Sequence, residues 1–218
     1  MIITSIERTP KRRGRVDVYV DGVAAFEVAG ATATAQGLRP GEPIDRARID
    51  AIVAADRRRL ALDTAVAMLA RRPRSERDVR QRLARARFDE ALVDDTLRRL
   101  RDAKLLDDAD YARAYTETRD RTSPRGRRLI VQELRASGVT LDIARDAATA
   151  VSDAEAAYRL AARRLRALAA LDYRAFRDRL GGYLQRRGFD WETCRATVAR
   201  CWAELGRDDA EFDGEAGA

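Results

Sequence analysis

Three arginines crowd the start of a predicted helix in the stretch SPRGRRLIVQELRASGV, residues 123–139. A helix start carries roughly half a positive charge, so Arg125, Arg127 and Arg128 are each disfavoured there by about 0.3–1 kcal/mol. A phosphate or an acidic protein surface would turn this repulsion into charge-assisted hydrogen bonds. The spacing therefore predicts an anion-binding site, and the alternative for any single arginine is a solvated helix face.

Arginines group in a similar way in three predicted helical segments. Most lie just before or within the second helix of a segment, whereas Arg163 and Arg164 lie in a first helix. Arg186 and Arg187 close a second helix, where cations are favoured. The candidates for contact with a partner protein or with DNA are Arg72, Arg74, Arg77, Arg80, Arg125, Arg127, Arg128, Arg163, Arg164, Arg186 and Arg187.

The overall charge of the chain fits an acidic partner. Forty-three basic residues against 36 acidic ones give a net charge of +7 and an isoelectric point near 10.0. Such a balance favours polyanions or acidic proteins as partners. Nearly all of the basic residues are arginines, which bind phosphate and carboxylate in a bidentate geometry that lysine cannot copy. Genomic composition bias is the alternative explanation of the arginine excess.

The side chains of common catalytic and metal chemistry are absent or badly spaced. The chain has no histidine, which removes the usual general base and metal ligand. Cys194 and Cys201 are about 10.5 Å apart along a helix, too far for a disulfide, and two cysteines alone make no zinc site. We expect both in a core. The sequence therefore predicts no enzyme activity, no cofactor and no metal.

No segment of the sequence resembles a membrane span or a secretory signal. A span needs roughly 20 consecutive apolar residues, and no stretch approaches this length. Residues 1–14 also lack the apolar centre of a signal peptide. We therefore expect a cytoplasmic protein.

The first fifty residues differ from the rest of the chain. Residues 2–9 and 15–20 favour strands, and the second run alternates apolar and polar side chains. Asp21-Gly22 then predicts a two-residue hairpin turn into a return strand over residues 23–28. The pattern predicts a small β-rich module that, with a linker helix, occupies residues 1–57.

From residue 44 onward the pattern is helical and it repeats. The segments LARARF (83–88), LRASGV (134–139) and LQRRGF (184–189) each follow an amphipathic helix and precede another. Gly138 and Gly188 suit the left-handed position that ends a helix, and Arg87 takes that place in the first copy. A period of about 50 residues is typical of a helical repeat architecture.

The repeat predicts a mainly α protein with three tandem three-helix units in an elongated array. We place these units at residues 58–107, 108–152 and 153–206. The acidic segment 207–218 is expected to be disordered. The alternative is one irregular helical bundle in which the similarity of the three helix-ending segments is coincidental.

Capping residues mark the expected starts of the second helices. Ser75 is followed three residues later by Asp78, which fits a reciprocal cap. Ser123 precedes Pro124, a pair that fits a cap followed by proline at the first helical position. Asp172 fits the same capping role in the third unit.

Three motifs in order give a resemblance to a known family. They are RPRSERDVRQRL (72–83), LLDDADYARAYTETR (105–119) and GRRLIVQELRASGV (126–139). Their order and spacing resemble the RecX family of recombination regulators, over roughly residues 60–205. Arg87 is a departure, since the later copies have glycine at that position.

The resemblance implies a modulator of the RecA recombinase in homologous recombination, DNA repair and the SOS response. Members of the family are understood to lie in the groove of the RecA–single-stranded DNA filament and to suppress its ATPase and strand exchange. The implied partners are therefore the RecA filament and the single-stranded DNA within it, with free DNA as a further possibility. We expect no membrane contact, and a monomer.

Two other functions stay open at the level of the sequence. One is an independent DNA-binding protein built from helix-turn-helix-like units, which the charge and the three-helix pattern also fit. No unit shows an obvious recognition helix with asparagine or glutamine for adenine, although arginine can read guanine. The other is an inert helical scaffold or an enzyme of unknown type.

Overall fold

The computed structural model describes residues 1–10 and 12–206. Over these residues the protein is mainly helical, with one small antiparallel sheet at the start of the chain. The segment 207–218, predicted to be disordered, lies outside the described residues.

The N-terminal sheet has three antiparallel strands in chain order. They are β1 (Ile3–Arg8), β2 (Arg15–Val20) and β3 (Val23–Ala29). Asp21 and Gly22 join β2 to β3 with φ angles of 50° and 82°, as a tight hairpin turn with two left-handed residues requires. The predicted β-hairpin is therefore confirmed.

A buried carboxylate ties this sheet to the following helices, α1 (Gly30–Ala35) and α2 (Arg46–Leu69). Asp56 of α2 accepts hydrogen bonds from the Ala29 N–H at 2.9 Å, the Thr32 hydroxyl at 2.7 Å and the Arg15 guanidinium at 3.0 Å. Burial opposes the charge on Asp56, but these three donors hold the pKa of the carboxyl below its usual value.

Helix α2 runs without interruption through residues 57 and 58, between which we placed the first unit boundary. Its N-terminal half packs against the sheet through Ile49 and Ile52, which share a buried cluster with Val18 and Val28. One long helix thus serves both the β module and the helices that follow.

Nine further helices complete the described chain. They are α3 (Glu76–Arg85), α4 (Glu90–Asp102), α5 (Asp108–Thr122), α6 (Arg127–Ala136), α7 (Leu141–Ala148), α8 (Asp153–Ala162), α9 (Leu165–Leu168), α10 (Tyr173–Arg186) and α11 (Trp191–Glu204). Helices α5 and α6 both pack on α7, and α8 and α10 both pack on α11. The predicted three-helix units are therefore present, with the single turn of α9 as an addition. Their elongated arrangement stays a prediction.

The three repeated segments end their helices in one way. In each, the backbone N–H of the last apolar residue reaches back to the carbonyl of the leucine: Phe88 to Leu83 at 3.3 Å, Val139 to Leu134 at 3.1 Å and Phe189 to Leu184 at 3.4 Å. The residue before that donor is left-handed, with φ of 61° at Arg87, 93° at Gly138 and 86° at Gly188. This is the Schellman ending that the sequence predicted.

The helix starts agree with two of the three predicted caps. The Ser75 hydroxyl accepts the Asp78 N–H at 3.2 Å, and Asp172 accepts the Ala175 N–H at 2.8 Å. The prediction for Ser123 is wrong. This residue closes α5, and α6 begins three residues later than predicted, with Gly126 as its N-cap.

The chain divides into two compact bodies. The first contains Met1–Arg72 and Val79–Leu105, and the second contains Pro73–Asp78 and the described residues from Leu106 on. The core of the second body continues from Ala112 to Trp202 and includes both cysteines. Burial raises the pKa of the Cys194 and Cys201 thiols to about 11, so both are inert core residues, as predicted.

No helix in the described part of the chain combines the length and the apolar character that crossing a bilayer requires.

Candidate anion-binding site

The start of α6, where the sequence puts three arginines, receives its anion from within the protein. Gly126 has no side chain to cap the helix, and the Arg127 N–H donates instead to the Asp153 carboxylate of α8 at 2.9 Å. Burial raises the pKa of Asp153, although the Arg127 N–H and its charge favour the ionised form. This helix start therefore has an anion supplied by the protein itself, and contact of its arginines with an external anion stays a prediction.

The first turn of α3 uses the same device. The Glu76 N–H donates to the Asp108 carboxylate at 2.8 Å, and Asp108 is the first residue of α5 just as Asp153 is the first residue of α8. In both cases a carboxylate from the next group of helices satisfies a free N–H at a helix start. The capping group is therefore distant in sequence, which no local pattern reveals.

Close backbone contact accompanies the cap at α6. The Gly126 N–H donates to the Arg187 carbonyl at 2.9 Å, and a Cβ at Gly126 would collide with the backbone of Gly188 and Phe189. Gly126 can therefore serve as the N-cap of α6 because only glycine fits against the end of α10. This contact brings the C-terminal end of α10 to the loop that carries Arg125.

Arg125 enters a part-buried ionic group rather than solvent. Its side chain is 20% exposed and contacts the Glu133 carboxylate, which also accepts the Tyr115 hydroxyl at 2.6 Å. The Arg119 guanidinium lies 3.8 Å from the same carboxylate. Burial, together with the positive charges of Arg119 and Arg187, lowers the pKa of the Arg125 guanidinium.

Two more arginines stack on Tyr183 beside this group. The guanidinium of Arg164 lies 3.9 Å from the ring centroid, and that of Arg187 lies 5.3 Å from it. Arg187 also donates to the Ser123 hydroxyl at 3.1 Å. Cation–π contacts of this kind hold a guanidinium in place while leaving its N–H groups free to bind an anion.

We call this site the arginine–tyrosine cluster. Its members are Tyr115, Arg119, Arg125, Glu133, Arg164, Tyr183 and Arg187. Four guanidiniums stand against one member carboxylate, and the buried Nε atoms of Arg119 and Arg125 have no hydrogen-bond partner among the described residues. These buried atoms are closed to an external ligand, but the side chains of Arg119 and Arg125 are 33% and 20% exposed, and an excess of partly exposed guanidiniums suits a phosphate or carboxylate oxygen.

The cluster contains three of the predicted site residues and four that were not predicted. Arg125, Arg164 and Arg187 are brought together as candidates, whereas Arg119, Glu133 and the two tyrosines were missed as site residues. A signal for Arg119 and the tyrosines was present in the sequence. Tyr115 and Arg119, and likewise Tyr183 and Arg187, are four residues apart on a helix, where side chains are neighbours.

Four other predicted arginines bind groups of the protein itself. Arg80 pairs with Asp94 at 2.7 Å, and Arg74 lies 3.8 Å from Asp78. The remaining two donate to backbone carbonyls: Arg127 to Val151 at 2.6 Å and Arg77 to Ala136 at 3.3 Å. Each of these contacts gives the arginine a structural role.

The last four predicted arginines are exposed and have no side-chain partner among the described residues. We call them the open arginines: Arg72, Arg128, Arg163 and Arg186. Exposed guanidiniums without an internal partner lose little by binding an external anion, because no existing ion pair must be broken. They are the simplest candidates for contact with a partner.

Metal ligands do not gather anywhere in the described part of the chain. Within residues 1–10 and 12–206, no group of three or more histidine, cysteine, aspartate or glutamate side chains could hold a metal ion.

Family models match the chain in three consecutive places. The model of the first RecX three-helix domain matches residues 61–100, that of the second residues 107–147 and that of the third residues 152–198. These three matches follow the order of the helical repeats and fall within α2–α4, α5–α7 and α8–α11.

Relatives agree with these models. Regulatory protein RecX of Levilactobacillus brevis is 38% identical over 138 residues, which are 63% of this chain and 52% of that protein. Regulatory protein RecX of Bacillus velezensis is 27% identical over 214 residues, which are 97% of this chain and 81% of that protein. The chain thus spans about half the length of the Levilactobacillus and Listeria relatives that it matches.

Two solved RecX structures are similar in fold to this chain. A crystal structure of regulatory protein RecX is 29% identical, covers 91% of this chain and all of its own, and has a TM-score of 0.67. RecX from Lactobacillus salivarius, at 23% identity and a TM-score of 0.62 over 67% of this chain and 97% of its own, supports the fold alone. With three domain models matched in order, the chain belongs to the RecX family.

Proposed function

We propose that this chain is a non-enzymatic regulator that binds the RecA filament on single-stranded DNA and inhibits its ATPase and strand exchange. The observation that carries the proposal is the ordered match of all three RecX domains, since the relatives bear the name regulatory protein. The net charge of +7 adds a physical reason for an acidic, phosphate-rich partner.

A tandem array suits a filament because both are repetitive. Several weak contacts from one chain to neighbouring subunits act as linked binding events, so their effective concentration raises the overall affinity without any single strong contact. The starts of α3 and α6 are each fixed against a neighbouring element. Asp108 caps α3 and Asp153 caps α6, and the Gly126 N–H donates to the end of α10. Fixed helix starts reduce the ordering entropy that binding would otherwise cost.

We assign different roles to the two kinds of predicted arginine. The open arginines and the arginine–tyrosine cluster bind phosphate or acidic side chains of the filament. The four arginines outside the cluster that contact groups of the protein itself maintain the fold: Arg74, Arg77, Arg80 and Arg127. Contact with DNA phosphates would make binding depend on salt, since each neutralised phosphate releases counterions. We also propose units at residues 58–107, 108–152 and 153–206, a monomer, and a cytoplasmic location with the recombinase.

The test is ATP hydrolysis by the cognate recombinase on single-stranded DNA, with and without this chain and at two salt concentrations. We expect inhibition at stoichiometric amounts and weaker inhibition at the higher salt. Arg128→Ala should raise the concentration for half inhibition by about 2- to 10-fold, because an exposed charged contact is worth little singly.

The matched control is Arg145→Ala. Arg145 lies on α7, is also exposed, and is outside the predicted set, so this variant makes the same change of charge in the same repeat. It should inhibit like the unchanged chain. The proposal would be contradicted if stoichiometric amounts of the wild-type chain left ATP hydrolysis and strand exchange unaltered. Tight binding to free duplex without recombinase would favour the independent DNA-binding function.

A further inference from the structure

The third repeat exposes a tryptophan at the start of its last helix. Trp191, the first residue of α11, is 67% exposed, whereas Trp202 of the same helix is 6% exposed and packs against Phe176 in the core. Indole is the largest hydrophobic side chain, and leaving it in water gives up the free energy of its burial. An exposed tryptophan beside a cleft offers a flat face on which another ring can stack.

The cleft beside Trp191 lies between α10 and α11. Its volume is about 390 Å³, within the roughly 300–1,000 Å³ of small-molecule sites. The residues that matter for its chemistry are Tyr173, Arg177, Gly181, Gln185, Trp191 and Arg195. They combine aromatic rings, guanidinium groups and an amide that can both donate and accept hydrogen bonds.

The geometry around Trp191 suits a flat aromatic ligand. The Arg195 guanidinium lies 5.3 Å from the indole centroid, four residues along the same helix. At Gly181, a Cβ would meet no atom within 4 Å, so this part of the lining is open. A planar ring can therefore enter beside the indole while Arg195 stays close to any phosphate attached to it.

The positive charge around this cleft favours a nucleic acid over an uncharged or basic peptide. Residues 172–206 carry seven arginines against five carboxylates. Asp178 pairs with Arg177 and Glu204 pairs with Arg200, so the charges of these pairs cancel, and the remaining five arginines and three carboxylates leave a net charge of +2. The segment therefore carries an excess of positive charge beside an exposed aromatic face, the combination that binds single strands.

We propose that this cleft binds an unpaired base of single-stranded nucleic acid, stacked on Trp191, with Arg195 at the adjoining phosphate. The binding needs no recombinase, and it goes beyond the proposed function of the chain. Stacking requires that the base be out of a duplex, so single strands are preferred over paired ones. Gln185 supplies hydrogen bonds that any base edge accepts, which predicts little sequence preference.

The experiment measures binding of the full chain to a labelled oligothymidylate by fluorescence anisotropy, without recombinase. Trp191→Ala should weaken binding about 5- to 100-fold, because base–aromatic stacking contributes that much per base. An abasic strand of the same length has the same phosphates and no bases, so wild type and Trp191→Ala should bind it equally. Oligouridylate and oligodeoxyuridylate of the same length differ only in the 2′-hydroxyl, and both should bind equally because the stack on Trp191 uses the base alone.

Two further variants separate stacking from charge. Trp191→Phe keeps an aromatic face and should retain most of the affinity, and its remaining tryptophan fluorescence should not change when the oligonucleotide binds. Arg195→Ala should lower the slope of log affinity against log salt by up to about 0.7, the value for one phosphate of a single strand. Trp191→Ala should leave that slope unchanged.

The control for removing an exposed apolar side chain is Leu141→Ala on α7, where Leu141 is 38% exposed. It should bind like wild type. Equal binding of the thymidylate by wild type and Trp191→Ala would overturn the proposal. An affinity loss confined to recombinase filaments would overturn it too, since the cleft would then dock protein. Inhibition of the recombinase by Trp191→Ala is a separate readout, so either proposal can fail alone.

Discussion

The ends of α3, α6 and α10 have the same backbone conformation but different neighbours. All three close with a left-handed residue, which is Arg87 in α3, Gly138 in α6 and Gly188 in α10. A Cβ at Gly138 would lie 2.6 Å from the Arg77 Cβ, and one at Gly188 would collide with Leu129. Arg87 is exposed and carries a full side chain.

This difference separates two reasons for glycine at a helix end. The left-handed conformation alone costs an ordinary residue about 1–2 kcal/mol, and the end of α3 tolerates that cost. Glycine becomes necessary where the start of another helix is seated against the helix end, as Leu129 of α6 is against Gly188. The two glycines therefore mark contacts between helix groups, whereas the end of α3 leaves room for the exposed side chain of Arg87, whose carbonyl accepts a hydrogen bond from Arg57 at 3.2 Å.

The largest effect is expected for Gly188→Ala. The new methyl group would overlap the Leu129 Cβ and approach the Leu129 nitrogen to 3.0 Å, and no side-chain rotation relieves either contact. Strain and overpacking together should lower the free energy of unfolding by about 2–4 kcal/mol, and the midpoint of thermal unfolding by about 5–15 °C. Circular dichroism during heating measures this midpoint.

Gly181→Ala is the matched control for that substitution. Gly181 lies inside α10 with no atom within 4 Å of a new Cβ, and alanine is the better helix former by about 0.5–1 kcal/mol. This variant should unfold at the same or a slightly higher temperature. If both variants unfolded alike, the contact at Gly188 would not explain its glycine.

A smaller loss is expected for Gly138→Ala, about 1–3 kcal/mol. Its new Cβ would lie 2.6 Å from the Arg77 Cβ, which no rotation moves, and 2.7 Å from the Arg77 Cδ, which can rotate away. Arg77→Ala removes the Cδ that would lie 2.7 Å away and should recover part of the loss. The same Arg77→Ala change added to Gly188→Ala should recover nothing, so a double-mutant cycle distinguishes the two contacts.

The smallest effect, and one of opposite sign, is expected for Arg87→Gly. Glycine relieves the left-handed strain but costs conformational entropy, so the net gain should be at most about 1 kcal/mol. Urea unfolding monitored by circular dichroism resolves a change of this size as a shift of the midpoint. A clear loss of stability would mean that the Arg87 side chain has a structural contact.

Local patterns in the sequence were enough to predict the elements of the fold. The alternation before Asp21-Gly22 predicts the hairpin, and the spacing of Leu83, Leu134 and Leu184 predicts three equivalent helix ends. Such signals are local because turn and capping chemistry lies within a few residues. The same capping signals recur in each of the three repeats, and this recurrence made the three-helix organisation predictable.

The candidate site was harder to predict because its contacts join distant residues. Asp153 caps α6 from 26 residues away, and the Arg187 carbonyl accepts the Gly126 N–H across 61 positions. Ser123, which looks like a cap, instead closes the preceding helix. A charge pattern alone cannot say whether an arginine is paired internally, as Arg125 is with Glu133, or open, as Arg128 is.

The measurement that tests the regulator account most directly is sedimentation of the chain with preformed recombinase filaments on single-stranded DNA, held by a non-hydrolysable nucleotide. We expect the chain to pellet with the filament, to saturate below one chain per recombinase subunit, and to be released by salt. A chain that stays in the supernatant with filaments present, while binding free duplex tightly, would contradict the account.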